Sequence, residues 1–279
     1  RKFYKSNIII IFMANSNLCV VGTCHDDPDG ESRLTYILER LMPNVVAVEL
    51  SKDRDCSDIL SFPEKTPQEE EKETDQILME CGLALNPIQR KTLIEACSLA
   101  KEYFNYEGRA SSKYIGKNPN FKLEYIDLSV YGNGKESFAE GYKGVLSKLA
   151  KDVFQIPEIA ETFLNVLNGG IKSYQEFNRQ IVESRYKSLE FIEMVAELLT
   201  NPEALEDMEE FYNENEIQTL KQIYNPKRDE FMSARIRELF NNGGNRLVAI
   251  IGLGHIPGIK NRIRDLDPKV IKLDQYAEI

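Results

Sequence analysis

Residues 246–258, RLVAIIGLGHIPG, contain the feature that decides the fold. The apolar run at 247–251 is unbroken and is bounded by turn-forming residues. Such a run is typical of a strand buried on both faces of a parallel sheet. Gly252, Gly254 and His255 follow it, and glycine lets the backbone turn sharply and approach a ligand closely. We therefore predict a buried parallel strand with a functional turn at its carboxyl end.

A second run of the same kind lies near the start of the chain. Residues 18–25, LCVVGTCH, end in His25, and the chain has two histidines in all. Both histidines therefore occur as G-x-x-H just beyond a buried strand. A single histidine in such a place is usually structural, but ligands of open α/β sheets bind outside the carboxyl ends of the strands. The repeated context favours a functional role for His25 and His255.

The remaining pattern predicts an α/β fold. A strand at 18–22, a helix at 32–42 and a strand at 45–50 form a βαβ unit with parallel strands. The other predicted strands are at 121–127, 246–252 and 269–273; the other predicted helices run from 86 to about 106, from 137 to about 240, and over 255–264. We expect a mainly parallel central sheet flanked by helices, with a large helical insertion at about 137–240 before the last strands. Residues 51–75 are charged and predict either a lid or a solvated loop.

Length and composition limit the kind of protein. We interpret residues 1–12 as an upstream extension and 13–279 as a single α/β domain with that insertion. The formal net charge is −10, from 45 acidic and 35 basic residues, which argues against nucleic-acid binding and an anionic membrane surface. No apolar run reaches the length of a membrane span. The five cysteines are scattered, which favours reduced thiols and a cytoplasmic location.

Two charged residues join the histidines as site candidates. Glu49 ends an otherwise apolar strand, where a carboxylate is costly unless it is paired or faces a crevice; an ion pair with Arg54 is an alternative reading. Arg228 shares the apolar face of a predicted helix with Met232. It also lies in the first turn, where the helix dipole disfavours a cation. This placement predicts an anionic partner inside the fold, either Glu49 or a substrate oxyanion.

Four segments together resemble one family. They are GTCH at 22–25, VELSKDR at 48–54, RDEFM at 228–232 and VAIIGLGHIPGI at 248–259. Their order and spacing are similar to the TraB/PrgY family, within the wider group of TIKI, GumN and EreA/ChaN-like proteins, over about residues 18–265. That group is associated with two G-x-x-H motifs, a glutamate and an arginine in one active site. The resemblance implies that His25, Glu49, Arg228 and His255 are the catalytic residues.

The chain departs from that pattern in two places. Relatives usually follow the first histidine with Val-Ser, whereas this chain has Asp26 and Asp27. Relatives often have Asp-Arg after the third strand, whereas this chain has Asp127 and Leu128. Any role of that second arginine is therefore absent here.

The resemblance implies a hydrolase that depends on a divalent metal ion and cleaves a peptide or another acyl bond in a peptide or small acyl substrate. His25, Glu49 and His255 would then be the metal ligands, a set that suits Zn²⁺, Mn²⁺ or Co²⁺. Two alternatives stay open. One is a metal-free, esterase-like hydrolase in which a histidine is the general base. The other is a non-catalytic module that binds and sequesters a peptide.

Overall fold

The computed structural model describes residues 17–50, 71–72, 75–76, 79, 84–103, 105–127, 157–189, 226–243 and 246–278. Within these ranges the fold is α/β, with a sheet of five parallel strands flanked by seven helices. The strands are β1 (Leu18–Thr23), β2 (Val45–Val48), β3 (Lys122–Tyr125), β4 (Leu247–Gly252) and β5 (Lys269–Lys272). The helices are α1 (Gly30–Leu41), α2 (Pro87–Tyr103), α3 (Tyr106–Lys117), α4 (Pro157–Asn168), α5 (Gly170–Lys187), α6 (Pro226–Asn241) and α7 (Ile256–Arg262). The predicted fold class is therefore confirmed.

The sheet has the order β3-β2-β4-β1-β5. Every residue of β1, β2 and β4 is buried, as their unbroken apolar runs predicted, whereas the outer strands β3 and β5 are partly exposed. In the register of the sheet, Thr23 lies beside Gly252 and Val48 lies beside Ile250. The carboxyl ends of the three inner strands therefore lie side by side at one edge.

The connections leave this edge in opposite directions. The β1–α1–β2 connection moves along the sheet toward β3, whereas the β4–α7–β5 connection moves toward β5. Right-handed crossovers then place α1 and α7 on opposite faces of the sheet. The contacts agree with this, because α1 packs against α3 and α7 packs against α6. Such a switch in direction opens a crevice between β1 and β4 at their carboxyl ends.

Several predicted boundaries need correction. Helix α1 begins at Gly30 and ends where Met42 adopts a left-handed conformation (φ 46°) just before Pro43. The helix predicted from 86 to about 106 is α2, which ends at Tyr103; after Asn105 (φ 59°) a second helix, α3, follows that was not predicted. The predicted helix at 255–264 begins with a 3₁₀ turn, Leu253–His255, and its α-helical part ends at Arg262.

The chain divides into two compact units. The first contains the sheet with α1, α3, α6 and α7, and the second contains α2, α4 and most of α5, whose last turn from Glu183 belongs to the first unit. Of the predicted helical insertion, α4, α5 and α6 are described. The extension at 1–12, residues 51–70 with Arg54, and residues 128–156 and 190–225 lie outside the described residues. Among those described, no helix is both long enough and apolar enough to span a bilayer.

Candidate active site

The candidate site lies at the carboxyl edge of the three inner strands. His25 follows β1, Glu49 follows β2, and His255 ends the 3₁₀ turn after β4. Arg228 reaches the same edge from the first turns of α6. The structure therefore brings all four predicted residues to one edge of the sheet, around the Glu49 carboxylate.

Glu49 contacts an arginine, a histidine and a backbone amide. Its Oε1 accepts a hydrogen bond from Arg228 Nη2 at 2.7 Å and lies 3.3 Å from Nε2 of His255. Its Oε2 accepts the backbone N–H of Gly252 at 2.6 Å. Burial alone would raise the pKa of this carboxyl, but the bond to His255 and the charges of both histidines lower the pKa of Glu49 to about 2. Glu49 is therefore a buried carboxylate anion at neutral pH.

His255 is held between two carboxylates. Its Nδ1 lies 2.5 Å from Oδ1 of Asp229, while its Nε2 faces Glu49. Desolvation opposes protonation of the imidazole, but the bonds to Asp229 and Glu49 outweigh it and raise the pKa of His255 to about 9. Gly258 makes room for this arrangement, because a Cβ there would lie 1.9 Å from Oδ2 of Asp229.

His25 has a matching partner on α3. Its Nδ1 lies 2.7 Å from Oε1 of Glu107, which also accepts the hydroxyl of Thr23 at 2.9 Å. Desolvation again opposes protonation, but the charge and hydrogen bond of Glu107 raise the pKa of His25 to about 9. The side chain of His25 is 51% exposed, whereas that of Glu107 is 7% exposed. The imidazole is thus held at Nδ1 by a buried carboxylate, while about half of the side chain is exposed to solvent.

Gly252 lies between His25 and Glu49. A Cβ at this position would be 2.9 Å from Nε2 of His25 and 3.3 Å from Oε2 of Glu49. Both atoms therefore border the same small space above the Gly252 backbone. A larger residue at 252 would occupy that space.

Arg228 joins the ends of β2 and β3. Its Nε and Nη2 donate to the two oxygens of Asp127 at 3.0 Å and 2.6 Å, and Nη2 also reaches Glu49. The anionic partner predicted for Arg228 is therefore present, and it is a pair of carboxylates. Asp127 binds the guanidinium directly, a role that the sequence did not predict.

The site holds more carboxylates than permanent cations. Glu49, Glu107, Asp127 and Asp229 surround one guanidinium and two imidazoles. If both imidazoles are neutral, the excess of negative charge is three; protons on both reduce it to one. The site therefore needs additional positive charge, supplied either by protons or by a bound cation.

Three of these partners were missed in the sequence. Glu107 stands in the first turn of α3, where an acid is ordinarily explained by the helix dipole. Asp229 follows Arg228 directly in α6, and its carboxylate binds His255 rather than the guanidinium. Asp127 lies two positions beyond β3 and Asp229 lies in the first turn of α6, so both stand at element ends like the predicted site residues.

The imidazole and carboxylate groups at the carboxyl edge of the sheet are of the kinds that bind divalent metal ions. Their present distances do not yet form a coordination site. Both imidazoles bind a carboxylate through Nδ1, which is how second-sphere carboxylates orient metal-binding histidines. Among the described residues, no three His, Cys, Asp or Glu side chains already lie close enough to hold a metal ion.

Comparison with known proteins gave no match: no protein-family model, no curated protein and no solved structure is similar to this chain.

Proposed function

We propose that this chain is a hydrolase of the TraB/TIKI-like type that cleaves a peptide or another acyl bond with the help of a divalent metal ion. His25, Glu49 and His255 would hold the metal, and Arg228 would complete the active site. The observation that carries the proposal is the pair of anchored imidazoles. Each histidine has Nδ1 bound to a carboxylate, and Nε2 of His255 faces Glu49 while Nε2 of His25 borders the space above Gly252.

The charges of the site support the same proposal. In place of the protons on His25 and His255, a divalent cation would offset the negative charge of four carboxylates around one guanidinium. When bound, such an ion can activate a water molecule as a nucleophile near neutral pH. The chain's own residues hold the parts in place: Glu107 and Asp229 orient the imidazoles, and Arg228 and the Gly252 N–H fix the carboxylate of Glu49. Arg228 is about a quarter exposed, so a substrate oxygen could also reach it.

Metal titration after chelation tests this proposal. We expect the protein to bind Zn²⁺, Mn²⁺ or Co²⁺ in calorimetry, and to hydrolyse a panel of peptides and aryl esters in the metal-loaded form. His25→Ala, Glu49→Gln and His255→Ala should abolish tight binding. Asp229→Asn and Glu107→Gln should weaken binding by about 10–100-fold, because second-sphere partners typically contribute that much. Asp265→Asn is the matched control, since Asp265 is a surface carboxylate bound to Arg237.

A metal-free hydrolase is the second candidate. It is favoured by the half-exposed imidazole of His25 on the buried carboxylate of Glu107, a pair that can exchange a proton with a substrate. Because its pKa is raised to about 9, this imidazole carries a proton at neutral pH and would begin as a general acid. Hydrolysis that survives complete chelation, with the same metal affinity in wild type and His255→Ala, would favour this candidate over the first. Peptide binding without any turnover would favour a sequestering module.

A further inference from the structure

The loop at residues 24–29 carries His25 and is held by three neighbouring elements of the first unit. Its own backbone closes a turn, with the N–H of Asp27 bound to the carbonyl of Cys24 at 3.0 Å. From α3, the hydroxyl of Tyr106 donates to that same carbonyl at 3.0 Å. From α1, Arg33 donates to Oδ2 of Asp27 at 3.0 Å. The third contact comes from the last turn of α5.

Tyr186, in that last turn, bonds the loop on both sides of His25. Its hydroxyl accepts the backbone N–H of Cys24 at 3.2 Å and donates to Oδ2 of Asp27 at 3.0 Å. Tyr186 and Asp27 are at most 1% exposed, so both ends of this bridge are shielded from water. A buried hydrogen bond of this kind is costly to leave unmade. The two residues between the bonded positions are His25 and Asp26.

Arg185 and Asp26, which precede Tyr186 and Asp27 in the chain, form a second contact between α5 and the loop, at the protein surface. Arg185 Nη1 lies 2.7 Å from both carboxylate oxygens of Asp26. Two successive residues of α5 therefore bind the two successive acids that follow His25. The proposed function leaves these acids, Asp26 and Asp27, without a role.

We propose that Tyr186 is a positioning residue for His25, acting through the Cys24 backbone and Asp27, and that Arg185 and Asp26 form the outer half of the same clamp. The inference rests on the proposed role of His25 in the active site. The clamp determines the position of the His25 imidazole relative to the Glu107 carboxylate, because it holds Cys24 before His25 and Asp27 after it. Loss of the Tyr186 hydroxyl would remove the bridge between Cys24 and Asp27 while leaving the loop's other contacts and the Glu107 bond in place.

The test uses the fact that the chain has two histidines, whose ring signals can be resolved by NMR of histidine-labelled protein. Tyr186→Phe should shift or broaden the ring signals of His25 and leave those of His255 unchanged. It should also speed hydrogen exchange of the Cys24 amide by at least about tenfold, because that amide loses its acceptor. The matched control is Tyr114→Phe, which removes another buried hydroxyl, one that donates to the Pro43 carbonyl at 3.2 Å. It should change neither signal.

Arg185→Gln provides a second variant that disturbs only exposed side chains, and we expect a smaller change in the same His25 signals. The proposal is overturned if Tyr186→Phe lowers the melting temperature while the His25 signals stay as in wild type. It is also overturned if Tyr114→Phe moves those signals equally. The measurement needs neither metal nor substrate, so a failure of the proposed hydrolase activity leaves its outcome unaffected.

Discussion

Arg228 and Asp127 form a two-bond ion pair at the carboxyl edge of the sheet, with donor–acceptor distances of 3.0 Å and 2.6 Å. The same guanidinium reaches Glu49 at 2.7 Å. The helix dipole disfavours a cation in the first turn of α6, and these two carboxylates offset that cost. Arg228 therefore ties together the ends of two strands that are adjacent in the sheet.

Replacement of Arg228 should lower stability as well as any activity. Arg228→Ala removes the guanidinium that binds the largely buried carboxylates of Glu49 and Asp127, a loss of about 3 kcal/mol in the free energy of unfolding. Arg228→Lys should recover only part of it, because an ammonium cannot reproduce the two parallel bonds. Urea denaturation measures both changes. Arg237→Ala, which breaks an exposed Arg–Asp pair with Asp265, is the control and should have a much smaller effect.

The glycines of the GLGHIPG segment should differ sharply in their tolerance of alanine. At Gly258 a Cβ would lie 1.9 Å from Asp229, so Gly258→Ala must displace that carboxylate and should cost about 1–3 kcal/mol. At Gly254 a Cβ meets nothing within 4 Å, so Gly254→Ala should be nearly neutral. Thermal denaturation and the NMR signal of His255 report the difference. Equal stability of the two variants would show that Asp229 does not need the space at Gly258.

Gly252→Ala should impair the site more than the fold. The added Cβ would enter the space bordered by Nε2 of His25 and Oε2 of Glu49, and both are ends of side chains that can move by a few tenths of an ångström. We expect metal affinity and hydrolysis to fall by at least about tenfold with a change in unfolding free energy of about 1 kcal/mol. Calorimetry of the chelated protein, with Gly254→Ala as control, provides the comparison. Unchanged metal affinity would place the metal away from this space.

Stability should decrease as the pH rises from about 6.5 to 9. The pKa of His255 is raised from 6.5 to about 9 in the folded protein, so its protonated form stabilises the native state. That contribution is fully present below pH 6.5 and is lost as the pH rises through 9. It amounts to about 3 kcal/mol for a buried imidazole. His25 contributes in the same direction, but less, because it is half exposed.

Urea denaturation of the chelated protein across this range checks the pH prediction. His255→Gln should flatten the slope, because the glutamine side chain has no proton to lose. A slope that is the same in wild type and in this variant would contradict the raised pKa. Asp229→Asn should also reduce the slope, since it removes the carboxylate that holds the imidazolium.

Cys24 should be unreactive although it precedes His25. Burial is the main cause that raises the pKa of its thiol to about 12, and Cys19 shows the same shift. At pH 8 the native protein should therefore resist alkylation by iodoacetamide at both positions and accept it after unfolding in urea. Peptide mapping by mass spectrometry measures the labelling. Rapid labelling of Cys24 in the native protein would instead make it a candidate nucleophile.

The sequence predicted the inner strands well because their burial on both faces leaves an unbroken apolar run. It predicted the convergence of His25, Glu49 and His255 because each follows such a strand. Helix α3 was missed for a physical reason. Much of its buried face is polar or small (Glu107, Gly108 and Ser111), so the stripe of Tyr106, Ala110 and Tyr114 gives only a weak apolar pattern in the sequence.

The partners of the site residues were harder to predict. Glu107 lies 82 positions from His25, and Asp127 lies 101 positions from Arg228, so only the folded sheet brings them together. Local spacing contains no information on such pairs. The strand order could not be predicted for the same reason, because the hydrophobic pattern does not indicate that β4 lies between β2 and β1.

That strand order has a consequence for how the protein is made. Both neighbours of β1 in the sheet, β4 and β5, are encoded at the far end of the chain. On a ribosome, β1 emerges before the other four described strands and has neither neighbour until β4 and β5 have been synthesised. Sheets closed by such distant partners form slowly, and their apolar strands are exposed to aggregation meanwhile. We expect folding in the cell to depend on chaperones that shield the nascent chain, and a messenger truncated before β4 to yield only insoluble product.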